Sequence, residues 1–296
     1  EHPLTARVMA NRTWHWHFGR GLVDTPSNFG TTGSAPTNVE LLDWLALEFR
    51  ESGWDVKEFF RTLVTSAAYR QAAIPTPDKF ERDPENRLLS RGPQFRMDAE
   101  MVRDYVLAAS GLLVRTIGGP SVKPYQPEGV WSDVARDAGN TRIYEQDTGD
   151  KLYRRSLYTF WKRSAPPPSM EIFNAPTREH STVRRMRTNT PMQALVTMND
   201  PQFVEAARYM AQRAMREAGD EFDRRLDYIT TRLLARDFTD LERTVAKRAY
   251  DRFVILYRTN AHEAQNLLEV GDSPFDDALP VTESAAWAML ASQTSL

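Results

Sequence analysis

Thr37-Asn38-Val39-Glu40-Leu41-Leu42-Asp43-Trp44-Leu45-Ala46-Leu47-Glu48-Phe49-Arg50-Glu51-Ser52-Gly53-Trp54-Asp55-Val56-Lys57-Glu58-Phe59-Phe60 decides the fold class. Thr37 and Glu40 have the spacing of a capping box, in which a hydroxyl takes an N–H three residues on and the carboxylate reaches back. Leu41, Leu42, Leu45 and Phe49 then recur at helical spacing. Gly53 stops the helix, because glycine enters the left-handed region without steric cost. Asp55 and Glu58 open a second helix at once, with Trp54 and Phe59 at the two staple positions. Val56, Phe59, Phe60, Leu63, Val64 and Ala67 trace its buried face. Two amphipathic helices separated by a few residues predict a helical hairpin and a mainly α chain.

The same grammar extends in both directions. Leu4, Val8 and Met9 favour a helix before residue 19. Asp98 caps a stripe of Met101, Val102, Tyr105, Val106, Ala109, Leu112 and Leu113 that Gly118-Gly119-Pro120 ends. Asp200-Pro201 reads as an N-cap followed by a first-turn proline. It opens a helix through Phe203, Ala207, Met210, Ala211 and Ala214 to Gly219. Phe222, Leu226, Ile229 and Leu233 carry the next, and Thr239 with Glu242 boxes one holding Ala246, Tyr250, Phe253 and Tyr257. A short helix runs from Asn260 to Gly271, and residues 281–292 form the last. Residues 114–190 differ: they are rich in Pro and Gly, include Pro166-Pro167-Pro168, and hold one strand-like run, Ser156 to Trp161. Long loop-rich segments in compact chains are functional or disordered. The aromatic content here (Tyr125, Trp131, Tyr144, Tyr153, Tyr158, Phe160, Trp161) argues for order. The expected organisation is therefore helical hairpins around one core with at most a small β element. Residues 1–113 are an N-terminal helical part, 114–190 a loop-rich segment packed on the helices, and 191–296 a C-terminal helical part, together one structural unit.

Composition narrows the function. The 296 residues carry 38 Lys+Arg against 40 Asp+Glu, a net charge of −2, which argues against a nucleic-acid module needing a basic face. With no cysteine, thiolate catalysis, disulfides, Cys-ligated zinc and covalently attached haem are excluded within this span. No run of apolar residues is long enough for membrane insertion, and Glu1-His2-Pro3-Leu4 shows no signal-peptide pattern.

Few residues combine into chemistry. His15 and His17 point away from each other on a helix and cannot share a metal. No metal is expected, with His17 alone as a candidate ligand for a metal or non-covalent haem. The densest polar cluster is Glu171 to Thr190, which brings Glu171, Arg178, Glu179, His180, Ser181, Arg184, Arg185 and Arg187 into a non-helical stretch. Glu171, Glu179 and His180 are the candidate catalytic groups. Arg178, Arg184 and Arg187 are candidate ligands for an anion, since the guanidinium fork suits bidentate partners. The competing reading is an arginine–carboxylate network that ties irregular backbone to helices. Asp133/Asp137 and Asp147/Asp150 are the paired acids glycosidic chemistry would need. Trp14, Trp16, Trp131 and Trp161 are candidate sugar platforms if exposed, with Trp131 and Trp161 the ligand-binding candidates.

Several segments together carry a resemblance. Leu4 to Arg12, His17 to Val23, Asn28-Phe29-Gly30, Glu40 to Ala46, Thr65 to Gln71, Asp83 to Leu89, Arg187 to Leu195 and Asn199-Asp200-Pro201 resemble, in order, one bacterial family. It is the C-terminal domain of planctomycete cytochrome-type proteins, also called domain of unknown function fifteen fifty-three. The resemblance covers nearly the whole chain. It implies a fragment of a longer multidomain protein located in the periplasm or at the cell surface, with c-type haem in an upstream domain and no cofactor in this span. It also implies partners among upstream domains or sibling subunits, and a link to glycans. Trp16, Asn38 and Ser181 stand where relatives carry histidine, histidine and cysteine. The function expected is a non-catalytic binding and assembly module. The alternative is a polysaccharide-active hydrolase using carboxylates and arginines of the central segment.

Overall fold

A computed structural model describes residues 2–135 and 142–294. Among the described residues there are twelve α-helices and no β-strand, which makes the chain mainly α as the periodicity predicts. Internal contacts group it into two compact units, Glu1–Arg96 with Ser181–Arg184, and Met97–His180 with Arg185–Leu296.

The first unit contains α1 (Pro3–Phe18), α2 (Val39–Glu51), α3 (Val56–Thr65) and α4 (Pro77–Arg82). Its core is Ala10, Trp14, Phe18, Leu22, Val23, Leu42, Leu45, Phe49, Phe59 and Leu63. The capping box at Thr37 is corrected by one residue. Asn38 is the cap of α2, accepting from the Leu41 N–H at 2.8 Å. Thr37 instead gives its N–H to the Leu22 carbonyl at 2.9 Å. Both residues are competent caps, and the carbonyl of Leu22 decides between them. The cap at Asp55 forms, accepting from the Lys57 and Glu58 N–H groups, but the return bond of a capping box does not, because the Glu58 carboxylate accepts from Arg61 at 2.7 Å instead. Trp54 packs on Phe49 (5.1 Å between rings), which in turn packs on Phe59 (4.8 Å), so the staple is relayed through the preceding helix. The buried Asn11 amide grips Val23 through both its N–H (2.8 Å) and its carbonyl (3.0 Å) and fixes the turn after α1.

The second unit holds α5 (Ala99–Ser110), α6 (Pro168–Ile172), α7 (Pro191–Asn199), α8 (Pro201–Glu217), α9 (Phe222–Leu234), α10 (Asp240–Thr259), α11 (Ala261–Leu268) and α12 (Val281–Thr294). Helix α12 is buried nearly all round, and the fully buried Ala285, Ala286, Ala211 and Ala214 let α8 and α12 approach closely. Trp287 fills the space they leave, against Phe222 and Tyr250. Helix α5 packs on α8, so contacts draw the boundary at Arg96/Met97 where composition draws it at 113/114. Asp98 begins α5 but makes no capping bond; its carboxylate accepts from Arg187 Nε at 3.4 Å instead. The strand-like run is also corrected. Ser156–Tyr158 is a 3-10 turn, and Thr159 makes only an isolated bridge to Val122. A strand needs a partner of matching length, and the neighbouring segment offers none.

Candidate functional site

The central arginine-rich segment is held by ion pairs rather than gathered around a cavity. Arg185 forks onto Glu100 at 2.5 and 3.2 Å. Burial works to raise the Glu100 carboxyl, but the Arg185 hydrogen bond, a backbone hydrogen bond and the Arg185 and Arg178 charges together outweigh it and hold the group below its ordinary range. Arg187 reaches Asp98, and Arg184, placed with the first unit, lies 3.8 Å from Asp24. Arg178, at positive φ, stacks on Trp161 at 4.4 Å. Glu171, Glu179 and His180 are exposed. Arg184, Arg185 and Arg187 thus pair with carboxylates, whereas Arg178 stacks on an aromatic ring.

The other candidates scatter. Trp131 is 3% exposed and packs on Tyr144 and Phe160 with two lysines over its ring, so it is a core residue and not a sugar platform. Trp161 is half-buried, donates to the Thr177 carbonyl at 3.3 Å, and has one face taken by Arg178. Trp14 is buried against Phe18, whereas Trp16 is exposed. His17 places Nδ1 2.7 Å from the Thr13 carbonyl and turns its ring edge toward Phe60 and Tyr69. Among the described residues no group of three or more His, Asp or Glu side chains is placed to hold a metal ion. Asp133 is exposed and its partner Asp137 lies outside the described residues. Asp147 accepts from the Lys123 N–H at 2.7 Å, a structural bond.

The most concentrated polar chemistry lies where the sequence reading had none. Along α8, Gln202, Glu205, Arg208 and Gln212 form a buried stripe. The Glu205 carboxylate accepts from Tyr153 (2.7 Å), Tyr125 (2.9 Å) and the Ser273 N–H (2.7 Å). Burial first, then the Glu205 charge, pushes both tyrosine hydroxyls far above their ordinary range, so they remain donors. Arg208 donates to Val270 and Ser273 carbonyls, and Gln212 accepts from the Asp276 N–H at 2.9 Å. The stripe therefore clamps residues 270–276 onto α8. A second clamp starts at Arg103 on α5, which donates to Gln202 Oε1 (2.6 Å) and to the carbonyls of Leu152 (2.6 Å) and Arg154 (2.8 Å). Burial lowers its pKa to about 10, so it is still cationic at neutral pH. The one signal in the sequence was the i, i+3, i+4 spacing of these polar residues on α8, which reads equally well as a solvated face. The neighbouring cavity, lined by Val106, Phe203, Met210 and Leu233, has about 10 Å³, room for roughly one water. These acids and bases are spent on holding loops.

Open concave surface lies in the first unit. A groove of about 800 Å³ runs along α1 and α2, lined by Pro3, Ala6, Ala46, Leu47 and Trp54 with the paired Arg7 and Asp43. A smaller pocket of about 170 Å³ lies at the C-terminal end of α1. No described helix is long and apolar enough to cross a membrane.

No curated protein matches the chain, and no solved structure matches it. A family model described as "Protein of unknown function (DUF1553)" matches residues 1–250, which include all of the first unit's helices and most of the second's. The ordered motifs from Leu4 to Pro201 fall within that match, and the chain belongs to this family of unknown function.

Proposed function

We propose that this chain is a non-catalytic binding and assembly module of an extracytoplasmic cytochrome-type protein, and that the α1–α2 side of its first unit docks an upstream domain of the same polypeptide. The observation that carries the reading is the apolar surface on α2 and the turn after it. Val39, Trp44 (51% exposed), Leu47 and Trp54 (44% exposed) face outward from a unit whose own core is filled by Leu42, Leu45 and Phe49. Large apolar side chains left in solvent beside polar residues mark interaction surfaces. The Arg7–Asp43 pair at the groove supplies the polar rim such interfaces carry. The location outside the cytoplasm, the upstream haem domain and the link to polysaccharide use rest on the family resemblance. The solvent-facing positions of Glu171, Glu179 and His180 support a binding role over the hydrolase alternative.

Hydrogen exchange on the full open reading frame and on the 296-residue chain tests this. Docking predicts slower exchange across residues 39–56 in the longer protein, reversed by Trp44→Glu. Equal exchange in both would remove the docking reading. Turnover of neutral or sulfated polysaccharide by the longer protein, abolished by Glu179→Gln, would favour the hydrolase instead.

A further inference from the structure

We propose that the pocket at the end of α1 is a binding site for a six-membered sugar ring carrying one acidic group, such as a uronic acid residue. It is separate from the docking surface on α2 and does not depend on it. Two sequence segments with no assigned role, His17 to Val23 and Asp83 to Leu89, converge there. Their folding is specific. Gly19 closes α1 at φ +77°, and a Cβ there would sit 2.6 Å from the Phe95 ring, so only glycine lets that ring form the wall. Asp83 holds the other segment by accepting from the Arg87 and Leu88 N–H groups at 2.7 and 3.0 Å.

The volume sets the size of the occupant. About 170 Å³ falls below the range for drug-sized ligands and close to the roughly 150 Å³ that admits a benzene ring. The walls set its chemistry. Leu89 and Phe95 supply apolar surface on which a ring can lie, over a floor of the buried Phe18 and Leu22. The polar wall holds unused valences. Arg20 gives Nη1 to Glu85 (2.7 Å) and Nη2 to Asp24 (3.1 Å), which pins its guanidinium in the wall. Glu85 accepts through Oε2 and keeps Oε1 for a donor. Gln94 donates to the Ala73 carbonyl at 2.6 Å and keeps its own oxygen. Free acceptors beside an apolar wall match ring hydroxyls. Arg87 lines the same pocket, is exposed, and makes no side-chain ion pair or hydrogen bond among the described residues. Among the residues that line the pocket, Arg20 and Arg87 stand against one carboxylate, Glu85, a balance that one added negative charge completes.

Titration of the purified chain with glucuronate, glucose, benzoate and inorganic sulfate, followed by saturation-transfer and chemical-shift NMR, tests the assignment. Glucuronate is expected to saturate, with the other three each at least about tenfold weaker. Arg87→Gln and Phe95→Ala should each weaken glucuronate by about tenfold with the circular dichroism spectrum unchanged, while Arg252→Gln in the second unit should have no effect. No saturable glucuronate binding, or binding indifferent to Arg87→Gln, overturns the proposal. So does glucose or benzoate binding as tightly as glucuronate, which would remove the acidic group or the hydroxyls from recognition. Sulfate matching glucuronate would show a bare anion site only and overturns it as well.

Discussion

Replacing Glu205 by Ala tests the central clamp of the second unit. The carboxylate is fully buried, accepts three hydrogen bonds, and lies 3.7 Å from the equally buried Arg208. Hydrogen bonds to a charged group contribute about 1.5–3 kcal/mol each. Removing one member of a buried pair costs about 3–5 kcal/mol, because the other charge is left uncompensated. These contributions overlap, so the expected loss is about 4–6 kcal/mol, a large part of the roughly 5–15 kcal/mol a domain possesses. Urea denaturation followed by far-ultraviolet circular dichroism measures the loss. Amide exchange at Asp272 and Ser273 localises it, since both N–H groups belong to this network. Glu205→Gln keeps one acceptor oxygen and should fall between wild type and Ala. Removing both charges, as Glu205→Leu with Arg208→Met, should cost less than the two single losses added together. A loss under about 1 kcal/mol for Glu205→Ala, with unchanged exchange at 272 and 273, would refute the reasoning.

Other perturbations probe the remaining elements. Arg103→Met should cost about 3–5 kcal/mol and open residues 149–158 to limited proteolysis, because Gln202 Oε1 and the Leu152 and Arg154 carbonyls all lose their donor. Arg103→Lys should not restore protection, since an ammonium cannot span the fork. Trp131→Ala should destabilise by about 3–5 kcal/mol in a denaturant melt, whereas Trp44→Ala should stay within about 0.5 kcal/mol. Ala235 closes α9 in the left-handed region at φ +53°, so Ala235→Gly should gain about 0.5–1 kcal/mol in a thermal melt. The Glu242 carboxyl is held at about 2 by the Arg236 hydrogen bond and then by the Thr239 N–H. Its folded pKa lies below the unfolded value, so its contribution is present above about pH 4.5 and fades as pH falls toward 2. Acid titration of the Glu242→Gln variant should therefore show a shallower loss across that window than wild type.

Helix positions were legible because the determinants lie within a few residues of one another. The cap at Asp55, the first-turn proline at Pro201 and the box at Thr239 with Glu242 form as their spacing predicts. The sites were far less legible. Trp131 and Trp44 are equally hydrophobic as letters, yet one is enclosed and the other stands in solvent. Arg178 to Arg187 left both a network and an anion site open, because the carboxylates that pair with Arg185 and Arg187 lie at 100 and 98.

The order of apolar and capping residues alone determined that this chain is helical, where most of its longer helices begin to within a residue or so, and which family it resembles, because backbone hydrogen bonding in a helix closes over four residues. The shorter α4, α6 and α7 were not legible in it. Tertiary structure decided which polar residues are buried, whether Thr37 or Asn38 caps α2, and which aromatics face water. Each of those outcomes depends on a partner brought from elsewhere in the chain, as Tyr125 and Ser273 are brought to Glu205. A periodic polar stripe looks the same from within its own helix whether water or a clamped loop lies opposite it.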